Sequence, residues 1–341
     1  MVAIPQPRTT PAARAQTDRP LLAVNDLQVE YRTKRGKVKA VDHVTFEIAP
    51  NEVYGLAGES GCGKSTIVYA VTRLHKPPAY ITGGEVLFQG RDVLTMTEDE
   101  LRAFRWQHAS IVFQSAMNAL NPVLTIGVQI IDAIQAHKPT GKEEARARAK
   151  ELLGKVGIDP KHVDSYPHQL SGGMRQRGVI AIALALNPEL IIMDEPTTAL
   201  DVVMQKQIMQ ELGHLRREFG FSVLFITHDL SLLVEFSDRI GIMYAGKIVE
   251  TGPSRQIFEN PQHPYTYKLM HSFPSITGPR QELTGIPGSP PDLVDPPTGC
   301  RFHPRCELMI PGRCQEVEPL LQVVGPQHEA ACHLIDEKRR S

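Results

Sequence analysis

The chain has 341 residues, 41% of them hydrophobic, with 37 basic side chains against 38 acidic ones. That is enough apolar material for a sizeable core and, at roughly 150 residues per domain, for about two domains. A net charge of −1 argues against a nucleic-acid binder held by bulk electrostatics, and the longest apolar run, 179–186, is far short of the ~18 residues needed to cross a bilayer.

Residues 1–20 carry Pro, Ala, Thr and Arg without the apolar stretch of an export signal, and are expected to form a disordered tail. Strands are predicted over 21–31 and 38–48, joined by a basic turn at 32–37. Tyr31 ends the first strand, where an aromatic ring is either an ordinary strand residue or a platform for an adenine base. A short apolar strand, 53–57, leads into Gly58-Glu-Ser-Gly-Cys-Gly-Lys-Ser-Thr66 and then a helix over 65–74. A strand at 84–89 follows. Thr97 and Glu100 have the spacing of a capping box, so a helix should start there. The apolar strand 111–114 ends in Gln114. Residues 115–176 read as a helical insertion between two halves of an α/β core, with the strongest helix formers at 141–157. The run 190–193 is a buried strand followed by Asp194 and Glu195. A helix over 202–219, a strand over 222–227 ending at His228, and two strands, 237–244 and 247–250, complete the core. From Thr251 the composition shifts to Pro, Gly and His. No solenoid repeat or coiled-coil heptad is present.

The loop between strand and helix has the form G-x-x-x-x-G-K-[ST], a phosphate-binding loop in its proper setting. Gly58, Gly61 and Gly63 let the backbone curl so that the N–H groups of Ser60 through Thr66, Cys62 among them, face phosphate oxygens at a positive helix end. Cys62 is given no chemistry beyond being small. Lys64 can reach the β- and γ-phosphates, and the Ser65 hydroxyl can ligate Mg²⁺. Asp194 and Glu195 end a strand in the crevice where open α/β sheets bind ligands. Asp194 suits Mg²⁺, and Glu195 suits activation of water. Gln114, at another strand end, could sense both. Leu170-Ser-Gly-Gly-Met-Arg-Gln-Arg177 is a second glycine-rich loop, in which Ser171, Gly172 and Gly173 offer a hydroxyl and N–H groups at a helix N-terminus. His228 could hydrogen-bond the γ-phosphate.

In this order the motifs resemble those of the nucleotide-binding subunit of an ABC transporter, over about residues 21–252. One residue departs from that pattern: Met174 stands where the family's signature usually has Gln. The segments 114–127, 260–270 and 299–306 resemble the dipeptide and oligopeptide importer branch. The resemblance implies an α/β fold: an ABC-type P-loop ATPase core with an antiparallel β subdomain and a helical insertion, then a cysteine-containing extension over 253–341. It implies ATP and Mg²⁺ as ligands, an adenine-stacking role for Tyr31, and ATP held between the phosphate loop of one cassette and the signature loop of another. The implied partners are two transmembrane permease subunits, a second ATP-binding subunit that is preferably a different chain, and an extracytoplasmic solute-binding protein, with no nucleic acid. The implied location is the cytoplasmic face of the membrane. Nickel or oligosaccharide uptake would use the same motor. A soluble ABC ATPase would carry two cassettes or a long coiled coil, and this chain has one cassette with about a hundred residues between Thr66 and Leu170.

Besides Cys62, the cysteines are Cys300, Cys306, Cys314 and Cys332. Without an export signal, disulfides are not expected. Four thiols suit one four-sulfur centre, though the tight pairs of zinc ribbons are missing. A 4Fe–4S cluster, which the importer resemblance implies, competes with structural zinc and with unligated thiols. Tyr265 and Tyr267 are expected to pack a short helix.

Overall fold

The computed structural model describes residues 19–113, 119–196, 201–272 and 285–338. Gln114 and residues 197–200 therefore lie outside the described residues, as do residues 1–18 of the tail expected over 1–20.

An antiparallel sheet opens the chain. Strand β1 (Leu22–Thr33) pairs with β2 (Gly36–Ile48) and with β4 (Ala79–Phe88), and β4 with the short β5 (Arg91–Asp92), in the order β2-β1-β4-β5. Along β2, buried Val44, Phe46 and Ile48 alternate with exposed His43, Thr45 and Glu47, the period-two pattern of a sheet with one covered face. Strand β4 begins five residues before the start expected at Gly84. The β1–β4 register shifts between Asn25 and Gln28, where Gly84 has φ +86°, and again between Gln28 and Val29, and the pairing resumes as far as Tyr31 opposite Ala79.

The second sheet is built on β3 (Val53–Ala57), β6 (Ala109–Val112), β7 (Leu190–Asp194), β8 (Ser222–Ile226) and β9 (Arg239–Tyr244). These run parallel in the order β9-β3-β8-β7-β6. Every residue of β3, β7 and β8 is buried, as continuous apolar strands covered on both faces must be. The parallel register brings the C-terminal ends of β3, β6, β7 and β8 to one edge.

Helix α1 (Lys64–Val71) follows β3. Helix α2 (Glu98–Gln107) starts as expected: Thr97 Oγ1 accepts from Glu100 N, and Glu100 Oε2 accepts from Thr97 N. Between β6 and α5 (Gly172–Ala183) stand α3 (Ile126–Gln135) and α4 (Lys142–Lys155). Helix α6 (Val202–Phe219) is capped by Asp201, which accepts from Val203 N and Met204 N, and ends at Gly220 in the left-handed conformation. Helix α7 (Leu230–Phe236) follows β8.

The last ninety residues extend this sheet, which their Pro- and Gly-rich composition does not announce. Strand β10 (Lys247–Pro253) pairs antiparallel with β9, and β12 (His328–Ala330) pairs with β10, carrying β11 (Gln322–Gly325) outside it. The tail thus extends the core sheet. Between β10 and β12 come α8 (Ser254–Glu259) and α9 (Pro264–His271). Glu250, fully buried, accepts from the N–H groups of Gln262 and His263 and lies 2.7 Å from His328 Nε2, so one carboxylate ties β10, α9 and β12. His263 caps α9 by accepting from Tyr265 N at 3.0 Å, and burial pushes its imidazole down to about 4.

Candidate functional site

The glycine-rich loop curls between β3 and α1, and its glycines are forced by both conformation and space. Gly58 has φ +151°, and a Cβ there would lie 2.1 Å from Met243 O; Gly63 has φ +112°, with Ala40 O at 2.1 Å. Ser60 and Gly61 are exposed on the outer rim, and Cys62 is buried beneath it. Burial raises the Cys62 thiol, which suits a small packing residue. Lys64 is only 8% exposed. Its Nζ donates to Gly58 O at 2.7 Å and to Glu59 O at 3.0 Å, which stretches the side chain along the inside of the loop. Thr66, in the first turn of α1, shares a 3.2 Å hydrogen bond with the Tyr31 hydroxyl, so Tyr31 stands beside the loop.

The strand-end acids meet the loop from β7. Ser65 Oγ donates to Asp194 Oδ1 at 3.2 Å. Asp194 is 4% exposed, and burial raises its pKa, opposed by the Ser65 hydrogen bond. A buried carboxylate beside a hydroxyl is an all-oxygen donor pair, which fits a hard divalent cation such as Mg²⁺. Glu195, the next residue, has φ +49°, and its N–H donates to Ile226 O at 2.9 Å. This bond ties the ends of β7 and β8 and sets Glu195 Oε2 3.6 Å from His228 Nδ1. His228 is held in a turn where Thr227 Oγ1 accepts from Asp229 N and Asp229 caps α7. Lys64, Ser65, Asp194, Glu195 and His228 therefore share one edge of the sheet.

The signature loop is a helix start. Ser171 caps α5, its Oγ accepting from Met174 N, and Gly172 and Gly173 are the first residues of the helix. A Cβ on Gly173 would fall 2.1 Å from Met204 Cε, so the glycine lets α5 approach α6 closely. Met174 packs its side chain on the apolar core. The departure from Gln thus leaves the capping geometry intact.

Two groups the sequence reading passed over surround Glu59, in the loop itself. Tyr265, expected only to pack, is fully buried and its hydroxyl accepts from Glu59 N at 2.9 Å. Arg305 clasps the Glu59 carboxylate with both Nη atoms, at 2.7 and 3.0 Å. Tyr267, by contrast, is half exposed and stacks on His271.

The four tail cysteines draw together without forming a metal cage. Cys300 N donates to Cys314 O, and Cys314 Sγ accepts from Ile310 N at 3.4 Å. Burial pushes the Cys300 thiol up to about 11 and the Cys332 thiol up to about 12, with the charges of Cys300, Cys306 and Cys314 further opposing ionisation of Cys332. Among the described residues no group of three or more His, Cys, Asp or Glu is arranged to hold a metal ion, so the expected 4Fe–4S or zinc centre finds no support in the geometry.

A cavity of about 730 Å³ between α6 and α7, lined by Lys206, His214, Arg217 and Asp238 among others, includes none of the expected site residues. The phosphate loop instead sits at an open edge.

Comparison with known proteins agrees with this geometry. The ABC transporter family model matches residues 41–198, and the model for the oligopeptide/dipeptide transporter C-terminal region matches residues 249–314. The chain is 46% identical to a provisionally named peptide import ATP-binding protein of Brucella abortus (strain 2308), over 90% of this chain and 92% of that one. It is 43% identical to the oligopeptide transport ATP-binding protein OppD of Bacillus subtilis (strain 168), over 89% of this chain and 86% of the relative. Among solved structures, the ATP-binding cassette MJ0796, in a dimeric post-hydrolysis state bound to ADP and Pi, superposes with a TM-score of 0.62 at 32% identity, covering 69% of this chain and 99% of that one. Sheet order, phosphate loop, strand-end acids and relatives converge: the chain belongs to the ABC transporter ATPases, in the branch that carries the oligopeptide/dipeptide transporter C-terminal region.

Proposed function

We propose that this chain is the ATP-hydrolysing motor of a peptide importer and that its own phosphate loop and acids cleave the nucleotide. The observation that carries the catalytic reading is the Ser65–Asp194 contact with Lys64, Glu195 and His228 on the same sheet edge. Peptide as cargo is supported by relatives named for oligopeptide and dipeptide transport and by the matching C-terminal region.

Lys64 exchanges its loop carbonyls for phosphate oxygens, and the loop N–H groups from Ser60 to Thr66 bind the rest of the phosphate chain. Ser65 and Asp194 would hold Mg²⁺, which would supply positive charge against the transferring phosphoryl group. Glu195 accepts the proton of the attacking water, and His228 hydrogen-bonds the γ-phosphate from the adjoining strand end. Tyr31 stacks on the adenine. Gln114, outside the described residues, keeps its proposed part in sensing water and metal. Ser171, Gly172 and Gly173 close a second cassette's nucleotide. An open loop on one chain cannot surround a triphosphate, and the exposed Val202 and Val203 at the start of α6, 78% and 72% accessible, offer apolar surface for that second cassette. The proposed assembly has two permease subunits, a second and different ATP-binding chain, and an external solute-binding protein, with this chain at the cytoplasmic face. The proposed division is a cassette over 21–252 with its helical part about 115–176, and an extension beyond.

Reconstitution with the permease and solute-binding protein tests the cargo: ATPase activity should rise several-fold on adding the binding protein loaded with di- or oligopeptides. Stimulation by nickel or an oligosaccharide, and not by peptides, would reassign the cargo.

For the four cysteines we propose a four-sulfur centre, with 4Fe–4S favoured over zinc. Their number and their mutual nearness support it. Anaerobically purified protein should be brown, with a broad absorption near the blue end of the visible spectrum and bound iron. A colourless protein free of iron would remove the cluster.

A further inference from the structure

Glu59 is held from three directions. Its N–H donates to the Tyr265 hydroxyl, its carbonyl accepts from Lys64 Nζ, and its carboxylate is clasped by Arg305. Arg305 is itself fixed. Its Nε donates to Pro287 O at 2.7 Å, one Nη donates to Gly288 O at 3.3 Å, and the side chain is only 6% exposed. A nearby arginine of the same region reaches the other side of the loop. Arg301 donates to Ala245 O and pairs with Asp42, and Gly246 N, next to that carbonyl, donates to Cys62 O at 3.0 Å. Both arginines belong to the segment that follows the cassette strands, and each acts on one flank of the loop that must hold phosphate.

We propose that Arg305 is a positioning residue for nucleotide binding: through Glu59, and together with Tyr265, it sets the shape of the phosphate loop, so the C-terminal region determines the chain's affinity for ATP. The proposal rests on the ATPase reading above. A bidentate pair with its guanidinium buried fixes direction as well as distance, which a single surface contact would not do. Glu59 is the residue whose carbonyl orients Lys64, so a shift of its backbone moves the phosphate-binding amine. The extension is then a working part of the nucleotide site.

The test uses the full chain and a fluorescent ATP analogue with Mg²⁺. Arg305→Met and Glu59→Gln should each raise the dissociation constant about tenfold, the scale of losing one charge-assisted pair. kcat at saturating ATP should fall less than the affinity does, because both residues act through Lys64 and the loop and neither touches the reacting atoms. The double variant should be no weaker than either single variant, since both remove one interaction. Arg305→Lys, which keeps the charge but loses the fork, should fall between. If Arg305→Met fails to fold, Glu59→Gln carries the test, because it leaves Arg305 bonded to the carbonyls of its own segment. Unchanged affinity in folded variants, or losses that multiply in the double variant, would overturn the proposal while leaving the ATPase reading standing. Wild-type protein that binds no nucleotide would overturn both.

Discussion

Glu195→Gln is expected to retain ATP with near wild-type affinity and to hydrolyse it about 10²–10⁴-fold more slowly, the range a positioned general base supplies. The substitution keeps size and shape and removes only the proton acceptor. Its backbone will not rearrange easily, because Glu195 N donates to Ile226 O and the residue already occupies φ +49°, a conformation the strand end imposes. Binding is spared because Lys64, Ser65 and the loop N–H groups make the ground-state contacts, whereas the carboxylate matters when water loses its proton. The nucleotide-bound form should therefore accumulate. Single-turnover phosphate release, run beside equilibrium binding, separates the two quantities. A variant with undiminished turnover would show Glu195 to be a solvated surface acid, and the base would have to be sought elsewhere on the same edge, His228 first.

Most of this edge was legible in the sequence because its chemistry is local. A glycine loop between strand and helix, a hydroxyl after the lysine, and acids closing an apolar strand are each short enough to read from spacing, and parallel pairing of β3, β7 and β8 then brings them together. The capping box at Thr97 and the helix over 202–219 were read correctly for the same reason. What the sequence hid is non-local. Nothing near Glu59 announces a partner 246 residues away, and a Pro-rich stretch gives no period from which to place Arg305. Tyr265 looked like packing because a tyrosine on a short amphipathic helix usually is, and its hydroxyl function appears only once α9 lies against the loop. Strands β11 and β12 were missed because they are four and three residues long and owe their pairing to β10. The cysteines are a different case: their number suggested a four-sulfur centre, but count alone does not orient thiols, and among the described residues they form no metal-holding group.

Lys64→Ala should abolish useful ATP binding, raising the dissociation constant at least about a hundredfold, or roughly 2.7 kcal/mol. The magnitude follows from position. At 8% exposure, with Nζ between the Gly58 and Glu59 carbonyls, the ammonium works where water screens it little, and the other buried cation beside the loop, Arg305, is already committed to the Glu59 carboxylate. Removing it also strands two carbonyls, at a cost to stability of about 1–3 kcal/mol, so the fold should survive the loss of the ligand. Lys64→Arg should not rescue binding. A planar fork needs more width than a point charge, and Gly58 already lies against Met243 O, with no room for the loop to open. Calorimetric titration with Mg-ATP, alongside thermal unfolding, measures both effects. Affinity within a few-fold of wild type in Lys64→Ala would mean that the loop does not hold the phosphates. Set beside Glu195→Gln, the contrast is diagnostic: one variant should keep nucleotide and lose turnover, the other should lose both. Only a site in which this chain itself binds the phosphates and activates the water gives that pair of outcomes.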